Sequence, residues 1–379
     1  MISVLVVDDS VVVRRLIVDA LGDSPNIEVV GTAANGLLAQ AKIDRLKPDV
    51  VTMDIEMPQM NGIEAVRELR KRHPKLPVIM FSTLSAAGAS ATLEALSAGA
   101  TDYVTKPSNV GSIAQSIAAV REQLVPKILA LAGWQRPARP APPPARPGAT
   151  PPRGAGPAAP SRLAAPPLAR PAAPVRKRPG GRVDVLAVGC STGGPDALTK
   201  VLLALPADLP VPVVVTQHMP PVFTRMFAER LDRSTPLRVV EAADGMEVSV
   251  GTVYIAQGDR HLVLQRRGSA IVTQLSSAPP ENSCRPAVDV MFRSVADIYG
   301  ANAYAAVLTG MGHDGRVGAK VLREAGAEVL AQDEATSVVW GMPGAVVAAG
   351  LADEVLPLDR IPAALLSRLK VGRSAAVAR

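Results

Sequence analysis

The chain is predicted to be an α/β protein of two domains joined by a linker, and three observations carry that prediction. At 379 residues it exceeds what one hydrophobic core ordinarily organises. Apolar strand-like runs alternate with helical patterns before about residue 130 and again after residue 182, which is the rhythm of parallel sheets covered by helices. Between the two lies a stretch that neither pattern can occupy: residues 134–182 hold 15 of the 35 prolines and ten Lys/Arg residues, with no Asp or Glu.

Residues 1–130 read as five βα units. SVLVVD, IEVVGTA, DVVTMD, PVIMFST and DYVTKP are the strands. DSVVVRRLIVDAL, NGLLAQAKIDRL, NGIEAVRELRKR, ASATLEALSAG and SIAQSIAAVREQLVPKILAL are the helices that follow them. Such a succession winds into a doubly wound (βα)5 sheet, and ligands of such sheets bind beyond the carboxyl ends of the strands. Residues 131–182 are expected to be a disordered, polyproline-like tether, because proline forbids helix and central strand and there is little to bury. Residues 183–372 resume the alternation with VDVLAVG, PVPVVVTQ, TVYIAQ, HLVLQ, AIVTQL, YAAVLTG and AEVLAQ. A mostly parallel sheet is expected, with GTVYIAQGDRHLVLQRRGSAIVTQL as an inserted antiparallel meander.

Composition narrows the function classes. The formal charge is +7, but the ten basic residues of the Pro-rich stretch leave −3 elsewhere. The basic excess therefore belongs to one segment and not to a domain face, and no nucleic-acid partner is expected. Cys190 and Cys284 are the only cysteines, which points to a reducing cytoplasm and excludes a cysteine-based zinc site. The first charges follow the first apolar run and do not precede it, so no signal peptide is read. No apolar run reaches the roughly 20 residues of a spanning helix, so no membrane insertion is expected.

In the first domain, Asp8 and Asp9 fall at the end of strand one, Asp54 at the end of strand three, Ser82 and Thr83 at strand four, and Lys106 at strand five. All lie on one sheet edge. Three converging carboxylates repel one another unless a cation sits among them, and oxygen ligands of this kind suit Mg²⁺. A lysine opposite would neutralise an added phosphoryl group, and a hydroxyl would hydrogen-bond it. The plainer alternative is that Asp8 and Asp9 cap the first helix. VVDDS, MDIEMPQMNG, FSTL and YVTKP at this spacing resemble the receiver domain of bacterial response regulators. The resemblance implies that Asp54 is phosphorylated, with Mg²⁺ held by Asp8, Asp9, Asp54 and the backbone carbonyl of Glu56. It further implies that Ser82 is the switch hydroxyl, Tyr103 the switch aromatic, and Lys106 the phosphoryl contact.

In the second domain, GCSTG places Ser191 in a G-x-S-x-G turn between a strand and a helix, which lifts a serine above a parallel sheet. A serine needs a base, and the domain offers His218, His261 and His313. His218 ends the next strand, on the same edge as Ser191. His261 follows GDR and reads as a surface turn. His313 sits in a Gly-rich loop beside Asp314. Asp314 is the best-placed third member, able to orient the base and stabilise its protonated form. The order Ser, His, Asp differs from that of α/β-hydrolases. The backbone N–H groups of Thr192 and Met311 are candidates for an oxyanion hole. Two other uses of the turn are weighed. A phosphate or dinucleotide site would need a Lys or a glycine spacing that is missing. Cys190 as nucleophile would point away from the site, and its expected role is a small buried hydrophobe.

GCSTGGP, TQHMPPVFTRMFAERL, YIAQGDRHL, RPAVDVMF, LTGMGHDG and MPGA together resemble the chemotaxis-type protein-glutamate methylesterases, the CheB family. The resemblance implies a triad of Ser191, His218 and Asp314. It also implies hydrolysis of glutamate γ-methyl esters and deamidation of certain glutamines on chemoreceptor helices, opposite a receptor methyltransferase. Its implied partners are methyl-accepting chemoreceptors as substrate and a histidine kinase as phosphodonor. Mg²⁺ is expected in the receiver only. His313 departs from the neutral polar residue expected beside the catalytic Asp, and the linker is longer than the family's usual one. A reading from another class is a phosphorylation-gated binding module without catalysis, which would not need an intact Ser/His/Asp set.

Overall fold

The computed structural model describes residues 1–107, 112–135 and 181–371. Residues 136–180 of the expected tether lie outside the described residues. In the N-terminal unit the elements follow in the order β1 (Ile2–Val7), α1 (Val11–Gly22), β2 (Ile27–Ala33), α2 (Gly36–Leu46), β3 (Val50–Asp54) and α3 (Gly62–Arg72). Then come β4 (Val78–Ser82), α4 (Ala86–Ser97), β5 (Asp102–Thr105) and α5 (Ile113–Gln135). The strands form one parallel sheet in the order β2-β1-β3-β4-β5. β3 and β4 are buried along their whole length, as expected of central strands covered on both faces. The helices start on side-chain caps. Asn61 accepts from the Glu64 N–H at 2.9 Å while Glu64 accepts from the Asn61 N–H at 3.0 Å. This reciprocal cap at the head of α3, worth about 1 kcal/mol, fixes the turn that follows Asp54.

The C-terminal unit begins β6 (Val185–Cys190), α6 (Gly194–Leu203), β7 (Val213–Gln217), α7 (Phe223–Ser234), β8 (Arg238–Glu241) and β9 (Thr252–Ile255). It continues β10 (His261–Arg267), β11 (Ala270–Ser276), α8 (Val288–Tyr299), β12 (Ala303–Val307), α9 (Arg316–Glu324) and β13 (Glu328–Gln332). It ends α10 (Met342–Ala348), β14 (Glu354–Leu356) and α11 (Ile361–Lys370). A seven-stranded sheet runs β14-β13-β12-β6-β7-β9-β8, every pair parallel. The antiparallel part is the β10–β11 pair. TVYI, read with that meander in the sequence, instead lies as β9 between β7 and β8 in the parallel sheet. All four of its residues are buried, and only the main sheet offers that much cover.

The two units pack against each other. The Tyr103 ring at β5 stacks on Phe223 at the head of α7, 4.8 Å between centroids and 5° between planes, a contact worth about 0.5–1.5 kcal/mol beyond its burial. Arg230 of α7 donates to Ser97 Oγ of α4 at 2.6 Å. Leu124, Ile128 and Leu131 of α5 share an apolar cluster with Val339, against which Met311 and Val338 pack. Among the described residues no helix is long and apolar enough to cross a membrane.

Candidate active site

At the carboxyl edge of the first sheet, Asp8, Asp9 and Asp54 each present an oxygen within 4.8 Å of the others. Lys106 Nζ lies 2.7 Å from Asp54 Oδ1 and 3.3 Å from Asp8 Oδ2. Burial raises the Asp54 carboxyl to about 6 against the Lys106 hydrogen bond, and the Asp8 charge adds to the rise. Burial likewise raises Asp8, opposed by the Lys106 charge. The buried Asp8 Oδ2 accepts no hydrogen bond. A buried carboxylate oxygen with no hydrogen bond and only the Lys106 ammonium nearby, beside two further carboxylates, belongs to the donor set of a hard divalent cation, so the residues fit Mg²⁺. A recess of about 200 Å³ opens onto Asp9, Asp54, Glu56, Ser82, Thr83 and Lys106. Ser82 Oγ, itself buried, accepts from Thr92 Oγ1 at 2.5 Å.

In the second sheet, neighbouring strand ends bring Ser191 and His218 together. Ser191 follows β6 and donates its N–H to Thr309 O at 3.0 Å, while His218 follows β7 and donates its N–H to Cys190 O at 3.2 Å. Gln217 Nε2 ties the two ends, donating to Ser191 O at 3.0 Å and His218 O at 3.2 Å. Gly193 turns the chain into α6 at φ 74°, a left-handed conformation that favours glycine. Gly310 lets the neighbouring loop approach: a Cβ there would fall 2.9 Å from Ser191 Cβ and 2.4 Å from Met342 Sδ. Among the described residues the N–H groups of Thr192 and Met311 have no protein acceptor.

His218 Nε2 is 2.8 Å from Asp314 Oδ2. Nδ1 is therefore the nitrogen not engaged by Asp314, the reverse of chymotrypsin-type triads, in which Nδ1 faces the aspartate. Ser191 and His218 line the same cavity, although among the described residues no hydrogen bond joins Ser191 Oγ to the ring. Cys284 Sγ stands 3.6 Å from Nδ1. Burial opposes protonation of His218, but the hydrogen bonds to Asp314 and Cys284 and their charges raise it to about 9. Asp314 is 2% exposed. Burial works against its ionisation, yet His218 and the N–H groups of Asp289 and Val288 hold it down at about 2. The N–H groups of Val288 (2.6 Å), Asp289 (3.0 Å) and Gly315 (3.0 Å) and the Asn282 amide (2.9 Å) all donate to it. Two of these belong to the first turn of α8, where the helix favours negative charge.

The other candidates separate cleanly. His261 is fully buried, not on a surface turn. Its Nδ1 accepts the Ala287 N–H at 3.2 Å and its Nε2 faces Pro279 O at 3.0 Å, so both nitrogens are used in holding the loop before α8. His313 is exposed. Cys190 is buried in the core, where burial pushes its thiol up. Sequence reasoning missed Gln217, Asn282, Cys284 and Asp289. Of these only Asp289 left a signal, an acid opening the helical pattern of VDVMF.

A cavity of about 510 Å³ runs between the domains, with Ser191, Thr192, His218 and Arg285 on one wall and Asp102, Tyr103 and Lys127 on the other. One oxygen of Asp102 accepts both Thr192 Oγ1 at 2.7 Å and Lys127 Nζ at 2.6 Å. The first domain thus holds the residue next to Ser191.

Residues 4–118 match the response regulator receiver domain, and residues 186–365 match the CheB methylesterase family. A protein-glutamate methylesterase/protein-glutamine glutaminase of Nocardioides sp. is 53% identical, covering 97% of this chain and 95% of its own. One from Trichodesmium erythraeum is 44% identical, covering 97% and 98%. The crystal structure of the Thermotoga maritima CheB methylesterase catalytic domain is 44% identical over 49% of this chain and 99% of that one, with a TM-score of 0.48. On the family matches and these two relatives the chain belongs to the CheB methylesterase family, and it carries a response regulator receiver domain ahead of the methylesterase domain.

Proposed function

We propose that this chain is a phosphorylation-activated protein-glutamate methylesterase and protein-glutamine glutaminase that acts on chemoreceptor helices with Ser191 as nucleophile. The observation that carries the reading is one cavity lined by Ser191 and by a His218 ring whose other side is held by the ionised Asp314. Ser191 Oγ attacks the γ-ester carbonyl carbon and His218 takes its proton. Backbone N–H groups of Thr192 and Met311 receive the oxyanion. His218 then gives the proton to the leaving methanol, or to ammonia when the substrate is a glutamine. Water repeats the cycle on the acyl-serine. Asp314 keeps the ring oriented and favours its protonated form throughout.

Regulation follows from the placement of the receiver. An α-helix with side chains is about 10–12 Å across, and Asp102–Thr192 and Tyr103–Phe223 tie the receiver across the cleft that a receptor helix would have to enter to reach Ser191. The domains must part for the substrate to enter. Asp54 takes the phosphoryl group from a histidine kinase of the same signalling system. Asp8, Asp9, Asp54 and the carbonyl of Glu56 would hold Mg²⁺, which when bound offsets the charge of the phosphoryl oxygens. Lys106 moves from pairing Asp54 to pairing the phosphoryl group, and Ser82 turns toward it. Tyr103, two residues before the end of β5, is the ring through which this reaches Phe223.

The test is methanol release from a methylated receptor. Wild type releases it, and Ser191→Ala lowers the rate by about 10⁴-fold or more. Undiminished release by Ser191→Ala would remove Ser191 from the role.

A further inference from the structure

Behind the triad, two buried carboxylates share one amide. Asn282 Nδ2 lies 2.9 Å from Asp314 Oδ1 and 2.9 Å from Asp289 Oδ2. An amide nitrogen carries two hydrogens, so each carboxylate receives one. Asp289 is fully buried, and its other oxygen accepts the Gly318 N–H at 2.6 Å. Two buried carboxylates gathered around one donor disfavour each other's charge, so without that donor one of them takes up a proton more readily. A proton taken up by Asp314 would remove the charge of the acid that orients His218 and stabilises its protonated form.

We propose that Asn282 is a positioning residue that keeps Asp314 and Asp289 both ionised, so that Asp314 serves His218 with its full charge. The inference rests on the triad reading given above. The backbone supports it. Asn282 sits at φ 52°, a conformation that asparagine tolerates better than most residues. The Glu281–Cys284 bridge, with paired hydrogen bonds of 3.1 and 2.9 Å, closes that turn and points the amide inward. The other titratable groups around the pair are His218 and Cys284 on the ring side, and Glu281 with Arg293, which bond each other at 2.5 and 2.7 Å. Arg293 is engaged by Glu281, and the amide is the donor that touches both carboxylates. Burial raises the Asp289 carboxyl, and the Asp314 charge adds to the rise. That rise fits the strain that the amide relieves.

The experiment uses the full chain. Asn282→Gly suits the positive φ and removes only the amide. Carboxyl carbon-13 titration of aspartate-labelled protein should then show a carboxyl of the pair titrating higher by about one unit or more. The kcat for methyl-ester hydrolysis should fall about tenfold with KM unchanged, a one-unit loss expressed as rate. Adding Asp289→Asn to Asn282→Gly removes the second charge, and should return both the titration and most of kcat. Asn282→Ser, which offers one donor, should give an intermediate titration and serves if the glycine variant proves too unstable. An unmoved carboxyl titration, or a double variant as impaired as the two single changes multiplied, would overturn the proposal. The titration needs no substrate, so it judges Asn282 even if the wild type failed to cleave methyl esters, a result that would count against the proposed function instead.

Discussion

Asp54 and Asp314 occupy the same kind of place, the carboxyl edge of a parallel sheet, and both are nearly sealed from water, at 3% and 2% exposure. Yet one is raised to about 6 and the other is held at about 2. Burial is common to both, so the partners decide. Asp54 has Lys106 and the Ile55 N–H, and faces two further carboxylates. Asp314 has His218, Asn282 and three backbone N–H groups. A carboxylate whose donor set is incomplete within the chain suits a group that receives a cation and a phosphoryl. A carboxylate completed by the fold suits one whose charge must stay constant through a catalytic cycle.

The largest expected effect that breaks this comparison is on the completed acid. Asp314→Asn should lower kcat by about 10⁴-fold, measured by methanol release, because a neutral side chain cannot stabilise the protonated ring. Next, Asp54→Asn should leave basal activity in place and abolish the rise on adding a small-molecule phosphodonor with Mg²⁺. A rise that survives in this variant would move the phosphorylation elsewhere. Smaller is the effect of Asp102→Ala, which frees Thr192 from the receiver. Loss of a hydrogen bond to a charged group, about 1.5 kcal/mol, should raise the activity of unphosphorylated protein roughly tenfold.

The smallest effect concerns pH. In the proposed reaction His218 must be neutral to take the Ser191 proton, and its protonated form persists up to about 9. Activity should therefore fall as pH drops below that value. Cys284→Ala removes a partner that raises His218, so the acid limb should move to lower pH, read from kcat/KM profiles of the two proteins.

Much of this was legible in the sequence because strand ends are legible. A parallel sheet sends every strand's carboxyl end to one edge, so finding Asp54, Lys106, Ser191 and His218 at such ends already brought them together. What failed was information that strand ends do not carry. TVYI is apolar in any sheet, and nothing in four residues says whether it pairs parallel to β7 or antiparallel to β10. The three-residue β14 is too short to leave a pattern. His261 after GDR looks like a turn residue, but two backbone partners make its burial tolerable. Asn282 lies in a loop with no periodicity, and its role depends on Asp314, 32 residues later. The Asp102–Thr192 bond spans 90 residues and two domains, and such contacts have no local trace.

The receiver is proposed to cover Ser191 until Asp54 is phosphorylated. This cover is tested most directly by the rate at which a serine-directed fluorophosphonate labels Ser191 in the full-length protein, before and after phosphorylation with a small acyl phosphate and Mg²⁺. Labelling should be slow at first, accelerate on phosphorylation, and show no acceleration in Asp54→Asn. Equal labelling rates with and without the phosphodonor, in protein shown to be phosphorylated at Asp54, would contradict the proposed cover.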